Sequence, residues 1–196
     1  MKLFSTIVLM FFTLQLVVAQ TSVNGFEFDF KKFKEITTKW EVYTSNYFVS
    51  IDYDTNKKVQ VRFKIHSESK KREIFNPNAF YLIIEGEKIK VRPIDLKYNY
   101  LHGFVGFGFI TPENKNLNPD SYDLFYDYDK EGYENIESKM DFGTKRKPNL
   151  QPVYFGNKKF KDRIVDVYFC VPKSLKTADI FYGDSKLAEL VFHKFE

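Results

Sequence analysis

Val59-Gln60-Val61-Arg62-Phe63-Lys64-Ile65 alternates apolar and polar residues without a break. Successive side chains of an extended chain point to opposite faces. Val59, Val61, Phe63 and Ile65 therefore share one side, and Lys58, Gln60, Arg62, Lys64 and His66 the other. A half-buried β-strand is the reading, and its neighbours on both sides agree. Upstream, Trp40 to Thr44 and Tyr47 to Tyr53 are strand-like around Ser45-Asn46, and Asp54-Thr55-Asn56-Lys57 is a turn leading into the alternating run.

Downstream, Ser67 to Asn78 is polar, carries Pro77, and reads as a loop. Phe80 to Glu85 and Lys88 to Arg92 flank Gly86, where Glu-Gly-Glu suits a tight turn with a positive φ. Phe104 to Ile110 is a further strand, and Leu124 to Tyr128 and Lys139 to Phe142 are weaker ones. Val153 to Phe155 is expected to turn through Gly156-Asn157 into Lys158 to Phe160. Ile164 to Val171 alternates cleanly until Pro172. Ala178 to Tyr182 then turns at Gly183-Asp184 into Ala188 to Phe195.

Short strands separated by turn signals predict an all-β chain, an antiparallel β-sandwich of immunoglobulin-like type. Only Phe30, Phe33 and Ile36 show helical spacing, so residues 20–39 are expected to form a short helical or irregular segment before a single sandwich domain at 40–196. No repeat, low-complexity tract or linker divides the chain.

The first nineteen residues have a different character. Lys2 is basic, Leu3 to Val18 is almost wholly apolar, and Val17-Val18-Ala19 precedes the polar Gln20-Thr21-Ser22. These are the parts of a secretory signal, with cleavage expected after Ala19. A spanning helix needs about 20 apolar residues, more than this run supplies. The expectation is an extracytoplasmic protein, periplasmic or secreted, without an integral membrane anchor. No cysteine lies near the cut, so no lipid-modified N-terminus is expected. Cys170 is the only cysteine and cannot form a disulfide within the chain. Stability must then come from burial alone, which a chain of this size can supply.

The net charge of +4 falls to +3 when Lys2 leaves with the signal, and acidic and basic residues are interleaved. Lys70-Lys71-Arg72 and Lys145-Arg146-Lys147 are the tight basic runs, both in apparent loops, so nucleic acid is not an expected partner.

Val59 to Ile65, followed by a polar loop, Asn76-Pro77-Asn78-Ala79-Phe80-Tyr81-Leu82 and Glu85-Gly86-Glu87-Lys88, resembles the core of bacterial telokin-like immunoglobulin domains. Val167 to Ser174 and Ile180 to Asp184 are similar to that family's closing strand and final hairpin. The likeness covers about half of the mature chain, and Tyr98 to Asn157 is longer than the family pattern. It implies an extracytoplasmic adhesive or interaction module without a common catalytic site, and it transfers no functional residues.

Catalytic chemistry has little support in the residues. No Gly-x-Ser-x-Gly elbow is present, and Cys170 lies mid-strand in an apolar run, as an inert buried thiol does. His66, His102 and His193 fit no metal-binding spacing. Gly103, Gly106 and Gly108 lack the spacing and following helix of a phosphate loop, and close sheet packing explains them better. Asp127, Asp129 and Glu131, followed by Gly132, match the opening of a calcium loop. Ser138 stands where the bidentate glutamate belongs, so calcium is a candidate ligand rather than an expected cofactor.

The aromatic excess, 22 Phe and 13 Tyr against one Trp, exceeds what one sandwich readily buries. Tyr98, Tyr100, Tyr126 and Tyr128 are the candidate ligand-binding residues, in a middle third that also holds Tyr122 and Tyr133. The function expected is a non-enzymatic binding or interaction module for an extracytoplasmic protein or polysaccharide. A carbohydrate-binding accessory protein is the alternative, and a hydrolase with an unrecognised site the second alternative.

Overall fold

The computed structural model describes residues 21–36, 51–99, 107–110, 122–144 and 146–192. Its strands are β1 (Thr21–Val23), β2 (Phe26–Ile36), β3 (Asn56–Ser67), β4 (Glu73–Phe75), β5 (Phe80–Ile84), β6 (Ile89–Val91), β7 (Asp95–Asn99) and β8 (Phe107–Ile110). They continue as β9 (Glu134–Ile136), β10 (Lys139–Asp141), β11 (Leu150–Pro152), β12 (Lys158–Phe160), β13 (Asp162–Pro172), β14 (Thr177–Tyr182) and β15 (Ser185–Val191). Two short 3-10 turns, Pro77–Ala79 and Leu124–Tyr128, are the helical elements among the described residues. No helix among them is long and apolar enough to cross a membrane.

The chain is an all-β sandwich. One sheet has six strands in the order β1-β2-β3-β13-β7-β8, and the facing sheet has five in the order β15-β14-β5-β6-β9. Pairing is antiparallel except between β6 and β9. At the centre of the larger sheet, β3 and β13 pair over eleven residues, from Asn56–Pro172 to His66–Asp162. Paired residues share a face, so Val59, Val61, Phe63 and Ile65 meet Phe169, Val167, Val165 and Arg163 on the inner side. The alternation read in the sequence is the alternation of the sheet.

Much of the aromatic excess is inside. Phe28 of the larger sheet lies 4.6 Å from Tyr182 of the facing sheet, and Phe63 stacks on Phe80 at 5.7 Å. Phe75 stacks on Tyr182 at 5.3 Å and tilts against Phe160 at 4.9 Å. Such rings bury large areas each and hold preferred mutual angles, which suits a core that lacks a disulfide.

The N-terminal segment corrects the expectation of a helical or irregular piece. Residues 21–36 form the β1–β2 hairpin, and β2 pairs with β3 along most of its length, so this segment is part of the sandwich. Phe26 and Phe28 are buried, and Phe30 opposes Phe63. The ladder then skips Lys31, pairs Lys32 with Arg62, and returns Phe33 to the inner side opposite Val61. A β-bulge adds one residue and resets the parity of the strand. The three-residue spacing of Phe30 and Phe33, which imitates a helix, is the result.

Three smaller differences concern local elements. Leu124–Tyr128 is a 3-10 turn and no strand. β12 pairs with β4, whereas Val153, Tyr154 and Phe155 are buried without forming a hairpin with it. In the turn after β5 the left-handed residue is Lys88, at φ 51°, and not Gly86. The closing strand β15 runs from Ser185 to Val191, and the part of the expected strand over residues 193–195 lies outside the described residues. The strands expected at Trp40 to Thr44 and over most of Tyr47 to Tyr53 lie outside the described residues, as do Tyr100, His102, His193 and the first twenty positions.

Candidate functional site

The outer face of the five-stranded sheet carries its own small apolar cluster. Tyr81 and Ile83 of β5 and Phe125 are buried there, flanked by Tyr128, Tyr133 and Phe181. Tyr81 and Phe181 stack 5.2 Å apart with nearly parallel rings. The segment Tyr122 to Tyr128 lies over this patch as a strap. Asp123 sets its start, with an extended backbone and a side chain that accepts the Phe125 N–H at 3.3 Å. A carboxylate that bonds the backbone two residues on competes with strand pairing, which explains why Leu124–Tyr128 turns inward on Phe125.

Two cations of β6 and its end fasten the strap. Alternation along β6 sends Ile89 and Val91 inward and Lys90 outward, and Arg92 follows on the same outer face. Lys90 is fully buried. Its Nζ donates to the Phe125 carbonyl and, at 3.3 Å, to Asp129, and it sits 4.1 Å from the centre of the Phe125 ring. Burial pulls the Lys90 pKa down and the Asp129 carboxylate opposes that pull.

Arg92 is 1% exposed. Its Nη2 donates to both Asp123 oxygens, at 2.8 and 2.7 Å, and to Asn78 Oδ1 at 3.2 Å. Its Nη1 donates to Glu137 Oε2 at 2.8 Å. Asn78 is itself held, donating to the Phe155 carbonyl at 2.7 Å and accepting the Phe155 N–H at 3.0 Å. The Arg92 Nε–H is buried and has no hydrogen-bond partner among the described residues.

The strap presents two tyrosines outward. Tyr122 is 63% exposed and Tyr126 40%. The Tyr122 hydroxyl donates to Asp127 at 2.8 Å, which raises its pKa. The Tyr126 hydroxyl donates to both oxygens of Glu137, at 3.0 and 2.9 Å, and its pKa is pushed up to about 12 by burial and then by this carboxylate. Each exposed ring is thus fixed beside an acceptor.

Of the candidate ligand-binding tyrosines among the described residues, Tyr98, Tyr126 and Tyr128, Tyr126 alone is exposed on this surface. Tyr98 opposes Val165 on the inner side of the larger sheet and packs, partly buried, against the main core. Tyr128 is partly buried at the edge of the cluster, its ring 6.3 Å from Tyr81, and its hydroxyl crowds Gly183. Tyr100 lies outside the described residues.

The acidic trio is not brought around one point. Asp127 accepts from Tyr122, Asp129 from Lys90 and Asn135, and Glu131 is exposed on the following turn, where Gly132 has φ 78°. Among the described residues, no group of three or more His, Cys, Asp and Glu is placed to hold a metal ion.

Beside the strap lies a cleft of 510 Å³, between β6 and β9 on one side and the end of β13 on the other. Ile89, Val91, Ile136 and Cys170 contribute apolar surface, Asp52, Glu87 and Glu137 contribute carboxylates, and Arg92 reaches its wall. The volume is in the usual range of ligand clefts, about 300–1,000 Å³. Asp52 accepts from the Asp54 N–H and the Thr55 hydroxyl, and these bonds hold its carboxyl below the usual range, so it stays ionised.

Cys170 and His66 do not form a catalytic pair. They lie on the outer face of the larger sheet, Cys170 opposite Lys58 and His66 opposite Asp162. Eight residues of extended chain, roughly 26 Å, separate those positions along β3. Burial pushes the Cys170 thiol up to about 11, and His66 Nδ1 lies 2.6 Å from Asp162.

Lys90, Arg92, Asp123 and Glu137 carry the site, and the sequence reading passed over them. Lys90 and Arg92 alternate with Ile89 and Val91 as any solvent-facing residues of a strand do, so the pattern holds no sign that their face is covered. No protein-family model matches this chain, and neither does any curated protein or solved structure.

Proposed function

We propose that the protein is an exported, non-catalytic binding module acting outside the cytoplasm, with the Tyr122 to Tyr128 strap as its binding surface. One observation carries this reading: two buried cations, Lys90 and Arg92, hold the strap Tyr122 to Tyr128, whose exposed side includes Tyr122 and Tyr126. Interior charge is costly unless paired and hydrogen-bonded, so such an arrangement is an expensive way to fasten a loop that only had to be covered. What it supplies is rigidity. A surface ordered in advance loses less entropy on binding, and tyrosine offers a large contact area with few rotatable bonds.

A protonated Cys170 thiol and its separation from His66 favour binding over nucleophilic catalysis. The role is also the one that a likeness to telokin-like domains implies. Export rests on the first nineteen residues, and mass spectrometry of the protein from its native host should find an N-terminus at Gln20.

A second reading, carbohydrate binding, draws on the pairing of each exposed ring with a carboxylate, Tyr122 with Asp127 and Tyr126 with Glu137. Sugars stack apolar faces on rings and donate hydroxyls to carboxylates. The test is to screen residues 20–196 on arrays of defined glycans and of peptides, with Tyr122→Ala and Tyr126→Ala in parallel. Hits should weaken by about tenfold or more in both variants, as expected for aromatic anchors. Hits that survive both substitutions would remove the strap as the binding surface, and turnover of any hit would remove the non-catalytic reading.

A further inference from the structure

The short ribbon of β4 and β12 has two unlike sides. Its inner side carries Phe75 and Phe160, both buried. Paired residues share a face and neighbours alternate, so Ile74 and its partner Lys159 point outward together. The same register carried one step past the strand ends sets Arg72 against Lys161, and both are exposed. Lys70 and Lys71 are exposed on the loop that leads into β4, where Lys70 turns the chain at φ 57°. The pairing thus joins two basic stretches, residues 70–72 and 158–161, that stand far apart in the sequence.

Among the described residues, Lys70, Lys71, Arg72 and Lys159 enter no ion pair, and Lys161 reaches Asp162 only at 3.9 Å. The carboxylates of the same loop are engaged elsewhere. Glu68 accepts from the Ser22 hydroxyl, and Glu73 accepts from Ser69 at 2.7 Å and opposes Phe160 on the inner side. Like charges set against each other on neighbouring strands repel, so the cluster costs stability unless an outside anion meets it. Among these cations stands Ile74, 66% exposed, the most exposed large hydrophobic side chain among the described residues. A soluble polyanion satisfies the cations and offers nothing to Ile74. An anionic bilayer answers both, with headgroup phosphates for the cations and the acyl boundary for the apolar side chain.

We propose that the outer face of the β4–β12 ribbon holds the protein reversibly on an anionic lipid surface. Ile74 is the apolar anchor, and Lys70, Lys71, Arg72, Lys159 and Lys161 meet the headgroup phosphates. This face adjoins the strap, whose Tyr122 carbonyl accepts from Asn76 at 3.0 Å, and it makes no use of the strap's rings.

The test sediments residues 20–196 with vesicles of equal parts phosphatidylcholine and phosphatidylglycerol, and with vesicles of phosphatidylcholine alone. The protein should pellet with the anionic vesicles only, and added salt should release it. Lys71→Gln and Lys159→Gln should each weaken partitioning by about fivefold. Ile74→Ser should weaken it by about tenfold. All three side chains are exposed, so Tm should hold in each variant. Three results would overturn the proposal: no pelleting with anionic vesicles, equal pelleting with both kinds, or partitioning of Ile74→Ser like that of wild type, which would mark a surface for soluble polyanions instead. The strap is tested on glycans and peptides without lipid, so either reading can fail while the other stands.

Discussion

Asp123 is the residue on which the strap should depend most. It accepts two hydrogen bonds from Arg92 in a site where both side chains are at most 2% exposed, and it caps the turn through the Phe125 N–H. Removing one member of a buried ion pair costs about 3–5 kcal/mol, because the other charge is left desolvated. Here Glu137 still faces Arg92 at 2.8 Å, which argues for the lower end. Loss of a capping side chain adds about 1 kcal/mol. Asp123→Ala should therefore destabilise by about 4 kcal/mol. At roughly 2–4 °C per kcal/mol for a chain of this size, Tm should fall by about 8–16 °C.

Asp123→Asn keeps an acceptor for the Phe125 N–H and for one guanidinium bond while losing the charge. It should cost about half as much, roughly 2 kcal/mol. Urea unfolding at pH 7 measures both variants. The strap can also peel away and return Lys90 and Arg92 to water, which limits the loss to the free energy of peeling. Amide exchange at Phe125 detects that route and should accelerate more in Asp123→Ala than in Asp123→Asn. An Asp123→Ala loss below about 1 kcal/mol, with Phe125 exchange unchanged, would refute the claim that this buried pair holds the strap.

The larger sheet supplies two further predictions. Burial raises the Asp95 pKa, with Lys58 and Lys97 opposing that rise. A carboxyl with a raised folded pKa is favoured protonated in the native state, so its contribution to stability falls as pH climbs from the ordinary carboxylate range through the folded value. Asp95→Asn should match wild type near pH 3 and be the more stable of the two near pH 7. Thermal unfolding across that range checks the sign, and a variant relatively weaker at pH 7 contradicts it. Cys170, with a thiol pushed up to about 11 from an ordinary 9.0, should show a thiolate fraction about a hundredfold below that of a free cysteine at pH 8. Iodoacetamide alkylation should slow in proportion, and alkylation at the rate of free cysteine would show that the thiol is not desolvated.

Strand identity was legible in the sequence wherever the signal is local. The parity of Val59 to Ile65 and of Ile164 to Val171 depends only on neighbouring residues, and β3 and β13 form the central pair as that parity requires. The same local logic failed at Phe30 and Phe33, because a bulge is an agreement between β2 and β3 and has no residue of its own to announce it.

The site was legible only in part. Tyr126 was recognisable as an aromatic in a polar, Tyr-rich stretch, and it is exposed. Tyr98 had the same local features, yet pairing with Val165 turns it toward the core. Asp127, Asp129 and Glu131 had the spacing of a calcium loop, but spacing counts residues, whereas the strap sends Asp127 to Tyr122 and Asp129 to Lys90 and Asn135.

The sequence by itself determined that this is a β chain, which residues face alternate sides of its strands, and that one cysteine leaves it without an internal disulfide. The tertiary structure alone decided that Lys90 and Arg92, in a strand that looks half solvated, are sealed beneath residues more than thirty positions away. Alternation records which side of a strand is polar. Whether water or a carboxylate meets that side depends on which distant segment folds over it.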